Sequence, residues 1–177
     1  MAGKILIVDD VSTNRIVMKV KLAAAGYLPI LASDGASCLD VAGRELPDLI
    51  LLDLMLPDMS GIAVLRLLRN MPQLKSVPVV MFSANQSLDA RLDAFRAGAD
   101  DFLVKPIDDE ILLARLRGLL RSRSAVASSD KFRNDAMTML GLAEAAAKYV
   151  VPASVALVVS RPETAQRLQG DISALTL

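Results

Sequence analysis

Leu49-Ile50-Leu51-Leu52-Asp53-Leu54-Met55-Leu56-Pro57-Asp58 is the stretch whose reading decides the fold. Its first four residues are continuously apolar, and Pro57-Asp58 marks a turn. A short apolar run bounded this way reads as a strand buried on both faces, which is the habit of parallel sheets. The strand runs out into an acid, Asp53. The same arrangement recurs three times. Ile5-Leu6-Ile7-Val8 precedes Asp9-Asp10, Val79-Val80-Met81-Phe82 precedes Ser83-Ala84, and Phe102-Leu103-Val104 precedes Lys105-Pro106. The carboxyl ends of strands in an open parallel sheet share one edge, and ligands bind there. Asp9, Asp10, Asp53, Ser83 and Lys105 are therefore expected to converge.

Outward from this stretch, strand signals fall at 4–8, 28–32, 48–53, 77–82 and 101–104, and helix signals at 12–25, 35–44, 61–70, 87–97 and 108–122. Leu88, Leu92, Phe95 and Ala99 recur at helical spacing behind Ser87, a residue type that caps helices. Asp108 stands in the same position before Ile111, Leu112, Leu116, Leu119 and Leu120. Gly26 and Gly98 fall where helices should stop. Five alternating units predict an α/β fold, a doubly wound five-stranded parallel sheet with helices on both faces.

Composition narrows the function. Hydrophobic residues make up 53% of the 177 and aromatics 3%, so the core must be aliphatic, with the eight methionines as filler. The formal net charge is zero, which predicts no nucleic-acid partner and no membrane surface. The apolar region from Ala136 to Ser160 is broken by Glu144, Lys148 and Pro152 and falls short of a membrane span. A single cysteine, Cys38, excludes an internal disulfide and fits the cytoplasm; it reads as a small apolar helix residue without a redox role. Histidine is absent, so catalysis by an imidazole of this chain is excluded. Arg115, Arg117, Arg121 and Arg123 form a basic set on the last helix. They read either as a solvated face or as a dimer face bridged to acids of an adjacent helix, such as Asp100 or Asp101.

The pattern changes after Arg123. Ser124 to Ser129 is small and polar, 130–149 reads as a helix, Val155 to Val159 as a strand, and Ser160-Arg161-Pro162-Glu163 as a capped helix start. Val158-Val159-Ser160-Arg161 aligns with Ile7-Val8-Asp9-Asp10, and Thr164 with Thr13. The tail reads as the opening of a second copy of the first domain, or as a hairpin packed back on it. The expected organisation is a domain over 1–123, a linker and helix over 124–152, and the start of a second unit over 153–177.

Three carboxylates at one edge repel one another and must either hold protons or recruit a cation. Oxygen ligands suit a hard divalent ion, and Mg²⁺ is favoured because it keeps places for waters and phosphate oxygens. Lys105 adds a second positive charge, and Ser83 a hydroxyl that can donate to a phosphoryl oxygen. A carboxylate so placed is suited to attack phosphorus. With no efficient base for water, the set reads as a phospho-acceptor rather than a hydrolase. The rival is a phosphatase with an aspartate nucleophile. Such an enzyme needs a second acid just after the first, and Met55 stands two residues on.

The runs Ile5 to Asp10, Leu52 to Gly61, Ser83-Ala84 and Gly98 to Pro106, in this order and at these spacings, resemble the response-regulator receiver domain of two-component systems. The resemblance covers residues 1 to about 123. It implies a flavodoxin-like sheet of strand order 2-1-3-4-5, with Asp53 phosphorylated by a histidine kinase or a phosphotransfer protein. Asp10, Asp53 and the backbone carbonyl of Met55 would hold Mg²⁺ directly, and Asp9 through water. Lys105 would pair with the phosphoryl group ahead of a cis bond to Pro106. Ser83 and Phe102 would form the switch, the hydroxyl moving to the phosphoryl group and the ring turning inward, while small Ala84 leaves the site accessible. The tail is similar to that of PleD-type regulators, in which two receiver-like domains precede a GGDEF diguanylate cyclase domain and phosphorylation favours a homodimer. Ser160 and Arg161 stand where the acid pair should be, so the second copy is expected to be an adaptor without metal or phosphorylation. No GGDEF motif occurs in the sequence. A DNA-binding or protein-interaction output is the alternative.

Overall fold

The computed structural model describes residues 3–123. Five strands alternate with helices: β1 (Lys4–Val8), α1 (Ser12–Ala24), β2 (Leu28–Ala32), α2 (Gly35–Glu45), β3 (Leu49–Leu52), α3 (Gly61–Asn70), β4 (Val79–Ser83), α4 (Leu88–Arg96) and β5 (Asp101–Val104). A last helix, α5, is described over 109–123. The strands form one sheet of order β2-β1-β3-β4-β5, and each neighbouring pair is parallel. This is the expected doubly wound topology.

The continuous apolar runs are explained by the pleat, which sends successive side chains to opposite faces. Leu6, Val8, Ile50, Leu52, Val79, Met81 and Phe102 pack into one core with residues of α2, α3 and α4. Ile5, Ile7, Leu49, Leu51, Val80 and Leu103 pack into the other with Met18 and Leu22 of α1 and Leu112 and Leu116 of α5. Each fully buried aliphatic side chain contributes about 1.5–3 kcal/mol of transfer free energy.

The helix ends follow the expected chemistry. Ser87 Oγ accepts from Ala90 N at the start of α4, and Asp108 Oδ1 accepts from Glu110 N and Ile111 N at the start of α5. Gly26 and Gly98 have φ of 85° and 99°, a region that disfavours side chains. The expected strand over 77–82 is displaced to Val79–Ser83, because Pro78 has no N–H to give the ladder. That places Ser83 on the last residue of the strand.

The stripe Leu88, Leu92 and Phe95 lies on α4 as its spacing implies and faces outward: these residues are 69%, 40% and 39% exposed, and Ala94 is the buried residue of α4. Ala94 is buried in the core that holds Phe102, with Ala90 packed partly against it, and the larger residues are turned outward. Asp100 and Asp101 are not on a helix. Asp101 opens β5 and lies 3.6 Å from Arg115 of the same chain, while Asp100 accepts from Arg69 and from Val79 N. Among the described residues no helix is long and apolar enough to cross a membrane. The linker helix, the strand at Val155 to Val159 and the Ser160-Arg161 pair lie outside the described residues.

Candidate functional site

The sheet delivers the functional residues one step beyond its ladder. Asp9 N donates to Ala32 O (3.3 Å), Asp53 N to Val8 O (2.9 Å) and Lys105 N to Ser83 O (2.9 Å). The backbone at each position is held by the neighbouring strand while the side chain projects past the sheet edge. The carboxylates of Asp9, Asp10 and Asp53 come together there, with one oxygen of each within 4.8 Å of the others. Asp9 and Asp53 are buried and Asp10 is exposed.

Lys105 binds two of the three acids. Its Nζ donates to Asp9 Oδ2 (2.5 Å) and to Asp53 Oδ2. Burial pulls the Lys105 ammonium down, but the hydrogen bonds to Asp53 and Asp9 outweigh that and hold it above its ordinary value of 10.5. The ammonium also sits 5.0 Å from the centre of the Phe82 ring. One ammonium against three carboxylates leaves the cluster net negative. Its donors are all hard oxygens, so the residues present fit a small divalent cation.

The other expected residues are also at this edge. Ser83 is buried, and its Oγ accepts from Asn85 N (3.1 Å); Ala84 beside it is exposed. The Lys105-Pro106 bond is cis. Met55 N donates to Asp53 Oδ1 (3.1 Å), while the Met55 side chain points to solvent. Phe102 lies in the core with its ring already inward. Gly61 opens α3 so close beneath Asp53 that a Cβ there would meet the Asp53 carbonyl oxygen at 2.0 Å. Only glycine permits that approach.

Sequence reading missed four contributors. Asn14 Nδ2 donates to both oxygens of Asp9 (3.1 and 3.2 Å), and Arg15 donates to the carbonyls of Asp9 (2.5 Å) and Asp10 (2.9 Å). Both lie in the first turn of α1, and nothing in the sequence shows that this turn folds back over Asp9 and Asp10. Phe82 is the third. Asp58 is the fourth: it accepts from Gly35 N (2.8 Å) and Ala36 N (2.9 Å) at the start of α2 and from its neighbour Met59 N (3.0 Å). The bond from Gly35 N is the main cause holding its carboxyl below the ordinary 3.8. Cys38 is fully buried, and burial first, then the charges of Asp34 and Asp58, push its thiol up to about 12. A thiol so held is inert, as expected.

A five-stranded doubly wound sheet carrying an acid cluster, a lysine and a hydroxyl at its carboxyl edge is the arrangement of receiver-type signalling domains. The model of the response regulator receiver domain matches residues 5–117, and the chain belongs to that family. It is 42% identical over 126 residues to the response regulator PleD of Caulobacter vibrioides, which covers 71% of this chain and 28% of PleD. It is 37% identical over 137 residues to the transcriptional regulatory protein PhoP of alkaline phosphatase synthesis in Bacillus subtilis, covering 77% of this chain and 56% of PhoP. The chain thus spans only part of these curated relatives. Among solved structures, a CheY-like receiver domain from Methanospirillum hungatei superposes with TM-score 0.67 at 27% identity, over 71% of this chain and 98% of that one. The receiver domain of a sensor histidine kinase from Pseudomonas aeruginosa, described with a magnesium ion coordinated in its active-site cleft, has TM-score 0.64 at 30% identity, over 68% of this chain and 98% of that one.

Proposed function

We propose that Asp53 accepts a phosphoryl group from a histidine kinase or phosphotransfer protein, with Mg²⁺, and that the change in charge switches the domain. The observation that carries this reading is the buried Asp53 carboxylate, bonded by Lys105 and flanked by Asp9 and Asp10. A carboxylate oxygen of Asp53 bonds to phosphorus as the bond to the donor breaks, the electron pair leaving with the donor. The product is an acyl phosphate. Lys105 neutralises a phosphoryl oxygen, and Ser83 donates a hydrogen bond to another. Asp10, Asp53 and the Met55 carbonyl would hold Mg²⁺ directly and Asp9 through water; the ion supplies the second positive charge that transfer requires.

A cleft beside Lys105, lined by Asn14, Val17, Phe82, Pro106 and Ile107, supports docking of a protein donor at this edge. Acetyl phosphate with Mg²⁺ tests the assignment. The native protein should form an acyl phosphate and Asp53→Asn should not; equal labelling of both overturns it.

The unit over 1–123 acts as the switch in the cytoplasm, residues 124–152 as a linker, and 153–177 as the start of an adaptor without its own phosphorylation site. The exposed Leu88, Leu92 and Phe95 of α4, with Ile111 of α5, offer an apolar face for a phosphorylation-dependent homodimer. Because Phe102 is already inward, movement of Ser83 and of the loop into α4 carries the signal rather than rotation of the ring. The output is a diguanylate cyclase of the GGDEF type, a reading supported by the similarity to PleD. PhoP among the relatives supports a transcriptional output as the second reading. Cyclic di-GMP synthesis from GTP by the full-length protein after phosphorylation separates the two.

A further inference from the structure

We propose that Asp58 is a positioning residue for metal binding, acting by clamping the loop after Asp53 to the start of α2. The inference rests on the Mg²⁺ site proposed above, in which the Met55 backbone carbonyl is a ligand. That carbonyl belongs to the segment 53–60, which joins β3 to α3 and is only partly packed. Leu54 is buried and Leu56 and Met59 pack partly against the core, but Met55, Pro57, Asp58 and Ser60 are all exposed. Burial therefore holds only part of the loop, and hydrogen bonds must hold the rest.

Its two ends are tied locally. Met55 N donates to Asp53 Oδ1, Gly61 N donates to Leu54 O (2.8 Å), and Met55 and Ser60 form an isolated bridge. These bonds close the loop on itself but do not fix it against the rest of the domain. Asp58 does that. Its two carboxylate oxygens take Gly35 N and Ala36 N, two donors that the first turn of a helix leaves without intrahelical partners. Ser37 N is taken by Asp34, the residue that caps α2 in sequence. The helix start thus carries two carboxylates, one local and one 23 residues away in the chain. α2 is itself anchored, since Cys38 and Ala42 lie in the same core as Val64 and Leu65.

The packing fits the same reading. A Cβ on Gly35 would lie 2.6 Å from Met59 Cγ and 2.8 Å from Val64 Cγ2, so the residue after Asp58 is pressed against the helix start. Asp58 thus joins a rigid helix to the loop that carries a backbone ligand. Groups bonded directly to a metal ligand commonly change affinity about 10–100-fold when lost; Asp58 acts one step further out, through the loop, so the lower end of that range is the upper bound expected here.

The test is calorimetric titration of Mg²⁺ into the protein without phosphodonor, for the native chain and for Asp58→Ala, Asp58→Asn and Ala36→Pro. Asp58→Ala should weaken Mg²⁺ binding by up to about tenfold, and Asp58→Asn, which keeps one acceptor oxygen, by less. Ala36→Pro deletes one donor from the helix side, where the first turn tolerates proline, and should weaken Mg²⁺ binding although it lies outside the loop. Phosphorylation by acetyl phosphate should recover in these variants at high Mg²⁺, which a general loss of folding would not allow. Native Mg²⁺ affinity in Asp58→Ala or in Ala36→Pro overturns the proposal. Asp10→Asn separates the two levels: if it binds Mg²⁺ as the native chain does, the reading of the acid cluster fails, whatever Asp58 does.

Discussion

The two edges of the sheet use the same side chains to different ends. At the amino edge Lys4 Nζ meets Glu45, Arg123 meets Asp48 and the Pro47 carbonyl, and Asp48 accepts from Lys4 N. Each acid there has a base, and the pairs are open to water. At the carboxyl edge three acids share one ammonium, and two of the acids are buried. Pairing charges one to one at the surface pins strand ends and contributes little. Leaving a surplus of negative charge in a half-buried place favours a cation. The difference lies in stoichiometry and burial, not in residue type.

Two substitutions and one labelling experiment probe that contrast, and the largest effect belongs to the carboxyl edge. Lys105→Met leaves Asp9 and Asp53 without their ammonium and should cost roughly 2 kcal/mol of stability, after allowance for the partial exposure of the site. Mg²⁺ should restore part of that loss, which denaturant titrations with and without the ion will measure. The pH dependence has a definite sign. The Lys105 pKa is raised in the folded state, so its contribution is fully present below 10.5 and is lost as pH rises through the raised value. The gap in stability between native and Lys105→Met should therefore narrow in strong alkali. Lys4→Met, at the opposite edge, should cost under about 1 kcal/mol, weaken further in its effect at high salt, and leave phosphorylation by acetyl phosphate unchanged. A large loss of labelling would break the contrast. The smallest effect is expected at Cys38: a thiol reagent at about pH 8 should label the unfolded chain and leave the native one untouched.

The strands were the most legible part of the sequence. β1, β3 and β4 are continuously apolar because both faces of the sheet are covered, and their order in the chain put Asp9, Asp53 and Ser83 on one edge. α4 and its Ser87 cap were legible, but its facing was not: periodicity shows that Leu88, Leu92 and Phe95 share a stripe without showing which way the stripe points, and Ala94 is the residue turned to the core. Asn14, Arg15 and Asp58 were not legible because their roles depend on how a first helical turn or a loop bends back. Asp58 in particular reads locally as the second residue of a Pro-Asp turn, and nothing near it in sequence points to α2. Asp101 falls in the expected strand over 101–104, and its pairing with Arg115 within the chain follows from the opening of β5.

Asp9, Asp53 and Lys105 are each held by their backbone N–H in the adjacent strand, whatever their side chains do. The frame and the chemistry are thereby separable in inheritance. A lineage that drops the lysine alone is left with stranded acids, and one that drops an acid alone is left with a stranded lysine. A lineage that loses them together keeps the shape at little cost, because replacing both partners of a buried pair is close to neutral. Decay of such a site should therefore be concerted, and what remains is a well-folded shape free to serve as an adaptor.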